Sequence, residues 1–175
     1  VYRMDVDSLV PKPYITADYA SHNGMNGDNI NDIYVDGGDR IWLANYPAGV
    51  TIRNNRYQSY EWFRHSPGNS RSLVNDQVHD VIEDSEGDLW FATSNGISLL
   101  QPAVGRWRSF LSRSDGIQDG GNHIFLTLCE VSPGVICAGG YASGLYRIEK
   151  KTGRVEYFPP SFAAEGRPDQ YINDI

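Results

Sequence analysis

The strongest constraint on the fold is a repeat with a period of 48 residues. Trp42 and Trp90 are separated by this distance, and each follows a carboxylate, Asp36 or Asp84, by six residues. The same offset relates three further pairs, which are Asp32 with Asp80, Ile33 with Val81 and Ile41 with Leu89. Self-similarity at a period of about 40–50 residues indicates a fold built from repeated supersecondary units.

One unit, residues 75–121, predicts four short strands. Residues 78–83 and 89–93 are rich in β-branched and aromatic side chains, and turn-forming residues 84–88 separate them. A second turn at 94–96 precedes an apolar run, and a fourth segment follows Gly105. We therefore predict an all-β fold, a β-propeller fragment of four-stranded antiparallel blades, whose strands a to d run from the central channel to the rim.

The chain divides into segments that follow this period. We expect the last two strands of a truncated blade in residues 1–20, whole blades in 27–73, 75–121 and 122–168, and the first strand of another blade in 169–175. The unit at 122–168 is divergent, and its alignment predicts Ile136 at the tryptophan position and a first turn that is one or two residues shorter.

These segments belong to one incomplete propeller. A propeller closes with about four blades or more, so we expect the remaining blades of a longer protein to complete the ring. Because an open ring exposes strand edges and apolar blade faces, we also expect that the isolated piece does not form a clean monomer.

Composition bounds the partners. A net charge of −7 disfavours nucleic acid, whose recognition depends on a basic face. No segment approaches the roughly 20 apolar residues of a membrane span, so we expect membrane attachment only through the parent chain. Cys129 and Cys137 flank a turn and are expected on paired strands, as two buried thiols or, outside the cytoplasm, as a disulfide.

Eight residues at recurring positions are interpreted as structural. The tryptophans fall in strand b, which predicts packing between blades. The aspartates of strand a are expected to bond to backbone or to a neighbouring blade, because buried polar groups need partners; an acidic ring facing the channel is the alternative. The turn aspartates are expected to cap their turns, and Gly87 to supply a positive φ. The eight are Asp32, Asp36, Trp42, Asp80, Asp84, Gly87, Trp90 and Gly96.

The sequence offers no catalytic group and no set of metal ligands. Asp84, Glu86 and Asp88 surround a glycine, but this five-residue turn is too short for a calcium loop of about twelve residues. The histidines lack metal-type spacing, and neither a Ser-His-Asp arrangement nor a carboxylate pair is evident. We therefore predict a non-catalytic segment without a metal or a cofactor.

One face of the propeller is the predicted ligand-binding face. The b–c turns and d–a loops of four-stranded blades emerge on the same side, and here both are polar. Aromatic rings stack on the apolar faces of sugars, and polar side chains bind sugar hydroxyls. The candidate residues on this face are Tyr46, Arg71, Asn75, Gln77, His79, Asn95, His123 and Tyr141.

The middle unit also resembles a known family. The resemblance rests on Asn75, Val78, Glu83-Asp84, Gly87, Leu89 to Thr93 and Gly96-Ile97. These residues resemble the two-component regulator propeller repeat, whose pattern is close to N-x-V-x-x-I-x-E-D-x-x-G-x-L-W-I-G-T-x-x-G-L. The first unit departs from this pattern at Val35, Asp39 and Asn45, and the third lacks the tryptophan.

The resemblance implies the sensor region of a hybrid two-component histidine kinase of the Bacteroidetes type, on the periplasmic or extracellular side of the inner membrane. It implies an oligosaccharide ligand, a homodimeric parent protein, and an output domain that is a histidine kinase or a cyclic-di-nucleotide synthase. We accordingly predict a ligand-sensing propeller that recognises an oligosaccharide or relays its binding. The alternatives are a protein-interaction propeller and a propeller enzyme, either a lyase or a glycosidase.

Overall fold

The structure is a computed structural model that describes residues 1–4, 7–18, 20, 23–112, 122–159, 172 and 175. All the regular secondary structure in these ranges is β. The strands are β1 (Tyr2–Met4), β2 (Pro11–Pro13), β3 (Ile30–Val35), β4 (Arg40–Asn45), β5 (Gly49–Asn54), β6 (Ser59–Phe63), β7 (Val78–Glu83), β8 (Leu89–Thr93), β9 (Gly96–Gln101), β10 (Arg106–Phe110), β11 (Phe125–Ser132), β12 (Val135–Gly140), β13 (Gly144–Glu149) and β14 (Val155–Phe158).

Twelve of these strands form three four-stranded antiparallel sheets, each in simple sequential order. The first sheet contains β3 to β6, the second β7 to β10 and the third β11 to β14. The innermost strands β3, β7 and β11 lie side by side, as strands that line a propeller channel do. The predicted all-β propeller fold with four-stranded blades is therefore confirmed.

The two ends of the chain lie beside these sheets. The short strands β1 and β2 pair antiparallel in a separate two-stranded sheet. Ile15 and Met25 pack with Leu43 against the face of the first sheet that is turned away from the second. In the predicted strand at 169–175, the structure describes only Ile172 and Ile175, and the rest of that strand lies outside the described residues.

Apolar side chains fill the two spaces between adjacent sheets. Trp42 of the first sheet packs with Val81 and Phe91 of the second, and all three are at most 1% exposed. Trp90 of the second sheet packs with Ile136 of the third. The alternation of side chains along each central strand sends one set of residues into each space, so burial between blades stabilises the stack through the hydrophobic effect.

Two hydrogen-bond networks of the same design fix the first turn of the first and second sheets. In each network one buried aspartate accepts two backbone N–H groups of its turn and the indole N–H of the tryptophan, at distances of 2.8 to 3.0 Å. The sets are Asp36 with Gly38, Arg40 and Trp42, and Asp84 with Glu86, Asp88 and Trp90. The six-residue spacing from aspartate to tryptophan therefore has a structural cause.

The third sheet departs from the predicted alignment by one residue. Its strand β11 begins at Phe125 and has a register shift before Thr127, as β7 begins at Val78 and has a shift before Asp80. Counting from these positions, the equivalent of Trp90 is Cys137, so the prediction of Ile136 at this position is wrong. The third sheet has no tryptophan to mark this position, and Ile136 and Cys137 are both plausible strand residues, so the sequence alone does not fix the alignment.

The first turn of the third sheet is shorter than that of the second, by more than the predicted one or two residues, because two residues separate β11 from β12 and five separate β7 from β8. Glu130 and its partner Ile136 are six positions apart, as are Glu83 and Leu89, but a register shift after Glu130 lets pairing continue to Ser132 and Val135. Gly134 has a φ of +74°, and Gly87, at the equivalent place, has a φ of +81°. The two segments therefore contain the same number of residues and the same left-handed glycine, although strand pairing extends further into the turn in the third sheet.

Candidate functional site

The aspartates of strand a join neighbouring sheets along the channel. Asp32 Oδ2 accepts the backbone N–H of Val81 in the second sheet at 3.1 Å. Asp80 Oδ2 accepts the backbone N–H of Leu128 in the third sheet at 2.6 Å. Each aspartate follows a register shift in its own strand, and the third sheet has Thr127 at the equivalent position. A recurring carboxylate thus links each innermost strand to the next.

These carboxylates also line an open groove of about 360 Å³ on the channel side. Its other lining residues are Asn31, His79, Leu126, Thr127 and Leu128. Burial and then the charge of Asp32 raise the pKa of Asp80 from 3.8 to about 6, although the hydrogen bond from Leu128 opposes this shift. The groove therefore holds one carboxyl group that binds its proton unusually tightly.

A cluster of polar and aromatic side chains adjoins the groove at the loop face. The rings of Tyr46 and His79 have centroids 5.7 Å apart and planes inclined by 39°. His79 Nε2 lies 2.8 Å from Ser94 Oγ, and His79 Nδ1 lies 3.4 Å from Asn31 Nδ2. Two turns and two innermost strands thus contribute to what we call the loop-face cluster, Asn31, Tyr46, His79 and Ser94.

The surroundings of His79 favour the neutral form of its imidazole. Burial lowers the pKa of His79. An amide nitrogen such as that of Asn31 can only donate, so Nδ1 accepts and Nε2 carries the proton that is donated to Ser94. A neutral ring beside a tyrosine presents both hydrogen-bonding and aromatic surface without a fixed charge.

The predicted arrangement of loops is confirmed by backbone hydrogen bonds. Gly49 in the b–c turn of the first sheet donates to Asp76 O at 2.7 Å, in the loop that leads to the second sheet. Gly96 donates in the same way to His123 O at 2.8 Å. The b–c turns and d–a loops therefore meet on one face.

Three predicted amide residues lie in this network of turns. Asn75 Oδ1 accepts the N–H of Gln77 at 2.8 Å, and Gln77 O accepts the N–H of Ser94 at 3.0 Å. Asn95 N donates to Thr93 Oγ1 at 3.2 Å. All three residues are half-buried, so their backbones shape the loop face while parts of their side chains remain exposed.

The other predicted residues are not part of the cluster. His123 is buried, and its Nδ1 lies 2.8 Å from Leu111 O. Because a carbonyl oxygen can only accept a hydrogen bond, Nδ1 is the donor. Arg71 is exposed. Its guanidinium lies near Gly105, 3.9 Å from the position that a Cβ on that glycine would occupy. Gly105 is in the β9–β10 turn, at the end of the sheet away from the loop face. Tyr141 is 40% exposed in the b–c turn of the third sheet.

The structure also places a cation among the three carboxylates of the first turn in the second sheet. Asp84, Glu86 and Asp88 offer oxygens that lie within 4.8 Å of one another. Lys150 Nζ, from the end of β13, lies 2.6, 2.7 and 2.8 Å from these carboxylates. Burial would raise the pKa of Asp84, but hydrogen bonds from Lys150 and Trp90 hold it below its ordinary value. The carboxylates of this turn therefore form a salt-bridge cluster with Lys150 that joins the second sheet to the third.

A second groove lies away from the loop-face cluster. It has a volume of about 490 Å³ and separates the loop 65–74 from β10 at the outer rim. Its lining includes His65, Asn69, Trp107 and several serines. His65 Nδ1 lies 2.8 Å from Leu73 O, which orients the ring within the loop.

Sequence reasoning missed three participants. Asn31 stands 48 residues before His79, so the repeat itself could have identified it as a residue on the same edge of the channel. Ser94 lies in a predicted turn, and the sequence indicates no further role for it. Lys150 lies 66 residues from Asp84 in sequence, and no local sequence pattern predicts their contact.

The comparisons with known proteins agree with this architecture. Residues 72–95 match the family model described as two component regulator propeller, so the repeat predicted in the middle unit is confirmed there. A comparison with curated proteins gives no significant match. The part of the chain that the structure describes contains no helix with the length and hydropathy of a membrane span.

Several solved structures share the fold. The extracellular domain of BT3049 from B. thetaiotaomicron, assigned to a hybrid two component system, has a TM-score of 0.71 at 22% identity over 85% of this chain and 20% of its own. That of BT4673 from the same organism has a TM-score of 0.60 at 21% identity over 81% of this chain and 18% of its own.

The likeness extends to a protein of another system. PorZ, a surface component of the type-IX secretion system of Porphyromonas gingivalis, has a TM-score of 0.63 at 12% identity, over 90% of this chain and 24% of its own. This chain therefore spans about a fifth to a quarter of the length of the structures it resembles. At these identities the likeness concerns the fold.

Proposed function

We propose that the chain is part of the extracytoplasmic ligand-sensing propeller of a two-component regulator. We further propose that the loop-face cluster contacts an oligosaccharide, and that the segment itself is not catalytic. The location is supported by the propeller repeat at 72–95 and by a fold that is shared with extracellular domains of such systems.

The observation that carries the ligand hypothesis is the contact of Tyr46 with His79 at the edge of the polar channel groove. Tyr46 is half-buried, so its ring is held in place and still has exposed surface for stacking. Asn31 and Ser94 supply an amide and a hydroxyl that suit sugar hydroxyl groups. The imidazole adds no positive charge to a groove lined by the carboxyl groups of Asp32 and Asp80, so we expect neutral sugars to bind better than acidic ones.

Binding would be relayed through the blades. Asn31 Nδ2 also donates to Val78 O at 2.9 Å, and Asp32 follows it directly in the strand that bonds to Val81. A ligand that contacts Asn31 and His79 therefore touches the junction between the first and second sheets. Such a ligand stabilises that junction if it binds this arrangement better than others.

The experiment is calorimetric titration of the intact sensor with a panel of defined neutral and uronic-acid oligosaccharides. For a sugar that binds, we expect Tyr46→Ala to weaken binding by at least about tenfold, as loss of an aromatic contact at a binding centre does. Tyr57→Ala is the matched control, because Tyr57 is 70% exposed in the turn between β5 and β6, at the other end of the first sheet.

Two results would contradict the proposal. Unchanged affinity in Tyr46→Ala and in His79→Ala would remove the loop-face cluster from the binding site. Absence of binding to every sugar, together with capture of a defined protein domain that Tyr46→Ala weakens, would favour the protein-interaction alternative instead.

A further inference from the structure

Cys129 and Cys137 are cross-strand neighbours in the third sheet. They pair directly in β11 and β12, between the regular pairs Leu128 with Ala138 and Glu130 with Ile136. Directly opposed residues in an antiparallel pair have Cα atoms about 4.5 or 5.5 Å apart. Both values lie inside the range of about 4.4–6.8 Å that a disulfide spans.

The side chains of the pair share one face of the sheet. Leu128, Ile136 and Ala138 pack into the core toward the second sheet. Because side chains alternate along a strand, Cys129 and Cys137 point to the opposite face, and both are half-buried there. Burial and then the nearby Cys129 raise the pKa of the Cys137 thiol, so each sulfur lies within the electrostatic reach of the other.

This face also contacts Ile172. A Cβ at Gly139 would lie only 2.6 Å from Ile172 Cγ2, so Ile172 packs against the backbone two residues after Cys137. In the first and second sheets the position of Cys137 is held by Trp42 and Trp90, each anchored by its turn aspartate. The third sheet lacks that anchor and has a cysteine pair in its place.

We propose that Cys129 and Cys137 form an intramolecular disulfide that joins β11 to β12 on this face. The oxidant is a carrier disulfide, either a small-molecule disulfide or an oxidised dithiol protein. One cysteine thiolate attacks the carrier disulfide to give a mixed disulfide and one carrier thiol. The second cysteine then attacks the first protein sulfur and releases the other carrier thiol, so two protein thiols and one carrier disulfide become one protein disulfide and two carrier thiols.

The proposed disulfide is independent of the proposed ligand site. It depends on the extracytoplasmic location only for the oxidant in the cell, since disulfides persist in oxidising compartments. Oxidation in vitro therefore tests the geometry by itself. A failed disulfide would leave the sugar-binding experiment unaffected, and failed sugar binding would leave the thiol count unaffected.

The test is peptide mapping of the intact protein after incubation with oxidised glutathione, denaturation and alkylation with iodoacetamide. Both cysteines lie on one tryptic peptide, residues 114–147, because no lysine or arginine interrupts it before Arg147. We expect this peptide to lack two hydrogens and to resist alkylation until it is reduced, in at least about tenfold excess over forms with glutathione attached.

The single variants Cys129→Ser and Cys137→Ser serve as controls. Each should show one cysteine that is alkylated or joined to glutathione. Two alkylated thiols in the oxidised wild-type protein, glutathione on both residues, or a bridge between two protein molecules would overturn the proposal. The central readout uses the wild-type chain, so it stands even if a variant fails to fold.

Discussion

The carboxyl group of Asp80 gives the sharpest test of how the blades are joined. It is half-buried between two sheets, it accepts the N–H of Leu128, and it lies beside a second carboxyl group, Asp32. Its pKa is raised from 3.8 to about 6, first by burial and then by Asp32. Asp80→Asn keeps an acceptor for the Leu128 N–H and removes the charge.

The expected magnitude follows from linkage. One pKa unit corresponds to about 1.4 kcal/mol at 25 °C, so the step from 3.8 to about 6 corresponds to about 3 kcal/mol. The folded state binds the proton more tightly than the unfolded state. The stability this proton provides is therefore fully present below pH 3.8 and is lost as the pH rises through about 6. The variant has no such dependence.

The assay is urea unfolding of the wild-type protein and Asp80→Asn, followed by tryptophan fluorescence at several pH values between 4 and 7.5. We expect the stability of the variant relative to the wild type to increase with pH by about 3 kcal/mol in all, mostly across this range. Asp28→Asn, at an exposed position, controls for the substitution itself. A stability difference that stays constant or falls as the pH rises would refute the reasoning.

Two further predictions concern the contacts between blades. Lys150→Met leaves three carboxylates without their cation, so we expect it to lower the free energy of unfolding by about 3–5 kcal/mol. Lys151→Met, at the exposed neighbouring residue, should change this free energy little. Equal effects of the two substitutions in urea unfolding would contradict the salt bridge. Trp90→Phe removes the indole donor to Asp84 and should lower the free energy of unfolding by about 1.5–3 kcal/mol. This loss should be smaller when Asp84→Asn is already present. Strict additivity of the two substitutions in urea unfolding would argue against the hydrogen bond.

The repeat and the blade architecture could be predicted because their signals are local. The six-residue spacing of Asp36 to Trp42, and of Asp84 to Trp90, reflects one hydrogen-bond network within a single turn. The third unit could not be aligned correctly because that network is absent there. The equivalent register shifts in β7 and β11, and the positive φ values of Gly87 and Gly134, restore the alignment.

The candidate site was less predictable because a side chain in a loop can point either toward the protein interior or toward the exposed loop face. Topology correctly brings the b–c turns and d–a loops to one face. Topology does not predict that the His123 side chain points inward to Leu111 O. It also does not predict that the long loop before β7 brings Arg71 close to the β9–β10 turn. Tyr46 and His79 meet because they border adjacent blades, which the repeat alone does not encode.

The most direct test of the proposed function is amide hydrogen exchange of the intact sensor, with and without an oligosaccharide that binds it. We expect the ligand to slow exchange in the segments that contain the loop-face cluster and its backbone contacts, which are residues 29–31, 46–49, 77–79 and 94–96. Slowed exchange confined to the rim groove around 65–74 and β10, with none in these segments, would contradict it.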